Sequence, residues 1–148
     1  MTAPDLVEIP IDRIQGEVVA VLYFEDERPP RGPAALLDWR LNGVLTELLV
    51  QGRAAGHVGE QILVPNNGKL GADWALFLGG GRWEGMGKKS YRTLVEQALE
   101  TCRGLNLSRV GIGLTPLEGM GEGSAEKMVS QALGRRTVTD LECQLCLG

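Results

Sequence analysis

The sequence predicts an α/β domain: a largely parallel or mixed central sheet with helices on both faces. Two observations carry this. Short apolar runs rich in β-forming residues alternate with amphipathic stretches of helical period, and that alternation builds a sheet covered by helices. Glycine is plentiful, at 21 of 148 residues, and supplies the tight turns such a fold needs. The length is that of one domain. With 43% hydrophobic and 23% charged residues, a core can close without disulfides or metal.

The elements follow in order. "EVVAVLYF" at 17–24 is almost continuously apolar and reads as a strand buried on both faces. The polar turn "EDERPPRG" comes next, and Pro33 opens a helix as a first-turn residue. Leu37, Leu41, Val44, Leu45 and Leu48 share one helical face. Asn42-Gly43 interrupts that face and divides it into two helices, with Asn42 expected to cap the second. "QILVP" at 61–65 is a short strand, "NNGKLGA" a turn, and "WALFLG" from Trp74 another strand. The clearest helix spans 90–103, with Tyr91, Leu94, Val95, Ala98, Leu99 and Cys102 as its stripe and Gly104 as its stop. "RVGIGLT" at 109–115 is the next strand. A helix starting near Ser124 buries Ala125, Met128, Val129, Ala132 and Leu133. The tail "DLECQLCLG" alternates and reads as a last strand.

The net charge of −4 counts against nucleic acid as the main partner, since phosphate binding needs a concentrated positive field. Lys88-Lys89 and Arg135-Arg136 are only small positive spots. No apolar run approaches a membrane span, and the first residues show no basic start followed by an apolar run. Three cysteines make no disulfide framework. The expected address is the cytoplasm.

Two glycine-rich loops follow strands and precede helices, where backbone N–H groups can hold phosphate. The first is "FLGGGRWEGMGKKS". A P-loop ending at Gly87-Lys88 needs glycine at 82, which is Arg82, and a hydroxyl at Lys89. A dinucleotide fingerprint from Gly79 fails at Glu84, and one from Gly85 fails at Ser90. Gly79, Gly80, Gly81, Trp83 and Lys88 remain as generic ligand candidates, beside the simpler reading of a strand exit that only glycine can turn. Trp83 either stacks on a ligand ring or packs as a lid over the sheet end. The second loop offers Gly119, Gly121, Gly123 and Ser124, although Glu118 and Glu122 oppose phosphate there. A glycine-rich turn with Ser124 as helix cap is the simpler reading.

Cys143 and Cys146 form a C-x-x-C. Three apart on a strand, their side chains point oppositely, so they cannot converge on zinc or a redox pair. One buried and one exposed thiol are expected. His57, the only histidine, reads as a solvated loop residue. No catalytic residue, metal ligand or cofactor site emerges.

The stretch "GPAALLDWRLNGVLTELLVQGRAAGHVGEQILVP" resembles the amino-terminal domain of the leucyl aminopeptidase, or cytosol aminopeptidase, family. Gly52, Gly56, Gly59 and Glu60 stand at the family's "G..GE" turn into an apolar strand. "ALFLGGG" is similar to its glycine-rich strand exit, and "GLNLSRVGIGL" to its next helix-to-strand unit. The likeness covers roughly 15–133. It implies a macro-domain-like three-layer α/β/α sandwich with a mixed, mostly parallel sheet over 1–148. It does not import the peptidase, whose two metal ions, catalytic lysine and arginine belong to a carboxy-terminal domain with a signature absent from this sequence.

Three functions are expected in descending order. The first is a non-catalytic interaction or regulatory module that binds itself or another protein. The second is a binder of a nucleotide or ADP-ribose-type ligand, since macro domains hold such ligands at loops after their strands. The third is a weak nucleic-acid-binding regulator.

Overall fold

A computed structural model describes residues 5–121, 123–134 and 141–148. Among these residues six strands make one sheet: β1 (Asp5–Leu6), β2 (Gly16–Tyr23), β3 (Gln61–Pro65), β4 (Ala72–Gly79), β5 (Arg109–Leu114) and β6 (Glu142–Leu147). Their order is β1-β6-β5-β2-β4-β3. Every neighbouring pair is parallel except β3–β4. Among the described residues the α-helices are α1 (Gly32–Arg40), α2 (Val44–Val50), α3 (Lys88–Gly104) and α4 (Ser124–Gly134). This is the mixed, mostly parallel sheet the sequence predicts.

Alternation along β2 divides the core into two layers. Val18 and Ala20 face Tyr91, Val95 and Leu99 of α3 and Val129 of α4. Val19, Val21 and Tyr23 face Leu37 of α1 and Leu45 of α2. A strand covered on both faces has no polar side, which is why 17–24 reads as one apolar run. The predicted stripe of α3 and the predicted face of α4 are both fully buried.

Differences from expectation have local causes. Asn42 does not cap α2. It takes a left-handed φ of 60°, and Gly43 occupies the cap position. The capping carboxylate comes from the preceding helix instead: buried Asp38 accepts from the N–H groups of Leu45 at 2.7 Å and Thr46 at 3.3 Å. Cys146 is not exposed. Both Cys143 and Cys146 are buried, in opposite layers, because β6 is covered on both faces. Burial pushes the Cys143 thiol up to about 12. Strand β4 begins two residues earlier than predicted and α3 begins at Lys88. Neither the two-residue β1 nor the 3-10 turn at Ile11–Arg13 is foreseen. Arg135, Arg136 and Glu122 lie outside the described residues.

Candidate functional site

The chain runs from β2 to β4 on one side of the sheet, then returns to β5 on the other. Such a reversal leaves a crevice at the carboxyl ends of the strands. A cleft of about 330 Å³ lies there, lined by Phe24, Glu27 and Arg31 after β2 and by Gly113, Leu114 and Thr115 at the end of β5. Trp83 and Tyr91 complete its wall.

The wall is built from rings. Trp83 lies tilted at 58° against Phe24 with centroids 5.0 Å apart, and edge-on to Tyr91 at 6.5 Å. Both geometries suit the ring quadrupoles. Asp26 fixes the loop carrying Trp83 by accepting from the backbone N–H groups of Trp83 at 2.7 Å and Glu84 at 2.9 Å. Those two donors, Glu84 first, hold its carboxyl below the usual range. The buried Tyr91 hydroxyl donates to the Thr115 carbonyl at 2.8 Å, and burial raises that phenol to about 12. The Thr115 hydroxyl donates to the Gly148 carbonyl at 2.7 Å. At the rim, burial raises Glu27 while Arg31 opposes the shift. The cleft therefore offers the Trp83 ring and the Arg31 guanidinium with the Glu27 carboxyl beside it, a set that can take a planar group and a polar one.

The sequence-predicted residues divide. Trp83 is half-buried, packs against Phe24 and Tyr91, and forms part of the cleft wall. Gly79, Gly80 and Gly81 lie behind it. A Cβ on Gly79 would stand 2.0 Å from the His57 carbonyl oxygen, and one on Gly80 2.4 Å from the Phe24 ring. Gly81 has a φ of 77°. Close packing accounts for glycine at 79 and 80, and backbone conformation for glycine at 81. Lys88 is exposed at the start of α3 and does not line the cleft. Gly119, Gly121 and Gly123 are exposed in their loop, where Gly119 and Gly123 have positive φ. The Gly123 carbonyl accepts the first helical bond from Lys127 N–H, so Ser124 lies inside α4. None of these four lines the cleft. Arg31, Glu27 and Thr115 are the polar residues that sequence reasoning passed over. For Glu27 and Arg31 the signal was positional, since "EDERPPRG" directly follows the central strand, and Thr115 ends the strand stretch "RVGIGLT".

The "G..GE" turn is organised by Glu60. Its carboxylate accepts from Tyr23 Oη at 2.7 Å and from the N–H groups of Gly56 at 2.9 Å and Ala55 at 3.0 Å. Burial alone raises this carboxyl, but the donors outweigh it and hold it at about 2. Exposed His57 has its Nδ1 3.4 Å from Glu25. Among the described residues, no group of three or more His, Cys, Asp or Glu side chains converges as a metal-ligand set. No described helix is long and apolar enough to cross a membrane.

A family model described as the cytosol aminopeptidase family, N-terminal domain, matches residues 18–136. The chain belongs to this family. A probable cytosol aminopeptidase of Pseudomonas aeruginosa is 29% identical over 107 residues, which is 72% of this chain and 22% of that protein. One from Pseudomonas paraeruginosa is 32% identical over 57% of this chain and 17% of its own length. The chain thus spans about a fifth of the length of the curated relatives it matches. Among solved structures, a tomato leucine aminopeptidase mutant superposes with a TM-score of 0.70 at 19% identity, covering 100% of this chain and 32% of that one. A macrodomain mutant of Oceanobacillus iheyensis gives 0.69 at 16% identity, over 97% of this chain and 83% of that one. The DarG macrodomain of Mycobacterium tuberculosis gives 0.66 at 16% identity, over 96% and 95%. At such identities these structures establish the fold, which is macrodomain-like.

Proposed function

We propose that this domain is a non-catalytic interaction or regulatory module of the cytosol aminopeptidase family. The observation that carries the reading is that the family match falls on the N-terminal domain, within about a fifth of the relatives' length. The surface supports it. Leu63 and Trp74 are 46% and 41% exposed on one face of neighbouring strands. Large apolar side chains grouped on a surface mark contact sites. The expected place of action is the cytoplasm, as the relatives' names state for them. The test is hydrolysis of leucyl substrates by the pure chain supplied with manganese or zinc. No turnover is expected, and metal-dependent turnover overturns the reading.

The cleft favours a second reading, a binder of a nucleotide or ADP-ribose-type ligand. Aromatic walls, Arg31 and the reversal of strand order support it. In a thermal-shift panel, ADP-ribose raises the melting temperature and Arg31→Ala removes the rise. No shift at saturating ligand overturns it.

A further inference from the structure

The two edges of the sheet are treated differently. The edge at β6 is capped by β1, whereas β3 ends the sheet on the other side. Strand β3 joins β4 by a short antiparallel connection, so no crossover helix passes over it. Its ladder alternates. Gly79 N–H donates to the Glu60 carbonyl and Asn66 N–H to the Asp73 carbonyl. In this register, Ile62 and Val64 therefore also bond toward β4. The N–H and C=O groups of Gln61 and Leu63, and the C=O of Pro65, point away from the sheet. Protein edges are commonly guarded by charge or proline; Gln61–Pro65 carries no charge, and its proline stands at the end of the strand.

We propose that β3 is a homodimerisation edge, pairing antiparallel with β3 of a second copy about a two-fold axis at Leu63. The proposal rests on the interaction-module reading and names its surface and partner. The strand is self-complementary in this register. Leu63 exchanges both backbone bonds with the partner's Leu63. Gln61 N–H donates to the carbonyl of the partner's Pro65, while the Gln61 carbonyl, opposite a residue without an N–H, is left to water at each end of the ladder. On one face Leu76 and Leu63 continue into the partner's Leu63 and the partner's Leu76. On the other, Phe77 and Ile62 continue into the partner's Val64 and the partner's Ala75. No like charges meet. The first flanking carboxylate, Glu60, is turned inward onto Tyr23 and stands opposite the partner's Asn66. A two-fold pair consumes both β3 edges, so the assembly closes at two.

Sedimentation equilibrium over a rising concentration series tests this. The wild-type mass approaches twice that of the chain. Leu63→Lys places two ammonium groups face to face and weakens dimerisation on the order of tenfold or more. Gln61→Pro removes one outward N–H while leaving the apolar surface and the β4 ladder intact, and also weakens it. Circular dichroism confirms that both variants fold. Leu63→Cys cross-links to itself through a short bismaleimide, because the three native cysteines are buried. A monomer at every concentration overturns the proposal, as does a dimer unaffected by both variants. Either result leaves the interaction-module reading standing, since another protein can be the partner. Peptide turnover sinks that reading without bearing on the dimer.

Discussion

Glu60 ties the 54–60 turn to the central strand through Tyr23, Ala55 and Gly56. Its carboxyl is held at about 2, below its ordinary 4.5. A depressed carboxyl adds stability that is complete above the ordinary value and fades as pH falls through the native one. Urea unfolding at a series of pH values therefore shows wild type losing stability between about pH 4.5 and 2. Glu60→Gln is less stable than wild type at pH 7, and the gap narrows as the pH falls through that window. A constant gap contradicts the assignment. Asp38 acts at the same scale. Asp38→Ala strips the α2 N-terminus of its acceptor and costs about 2 kcal/mol in urea unfolding. That carboxylate was invisible to sequence reading because the capping residue belongs to the preceding helix, not to the position before α2.

At the scale of elements, most of the architecture was legible. Helix periodicity gave α3 and α4 their buried faces because each helix packs one stripe on the sheet. Continuous apolar runs gave β2, β4 and β5 because both faces of each are covered. The burial of Cys146 was not legible. Alternating polar residues in β6 imitate a solvent face that the 3-10 turn and α1 layer in fact cover. The glycines after β4 were legible as a loop, but their purpose was not. They admit the 56–59 turn against the strand end, a contact between distant parts of the chain. Gly79→Ala places a methyl against the His57 carbonyl and is expected to cost about 3 kcal/mol, measured by denaturant unfolding. A neutral result means that the turn yields freely.

For the whole molecule, the family was legible from an ordered set of weak features, whereas the cleft was not. Its lining comes from 22–33, 83–91, 113–115 and 148, stretches that only the strand order brings together. The glycine-loop candidates marked loops at the correct end of the sheet, yet only Trp83 among them reaches the cleft. The central claim is that this domain acts by contact and performs no peptide chemistry. It is tested most directly by following leucyl-p-nitroanilide with pure protein and saturating manganese or zinc, from a host lacking its own leucyl aminopeptidase. The account predicts a rate equal to that of buffer with metal alone. A rate proportional to protein concentration and abolished by a chelator would contradict it.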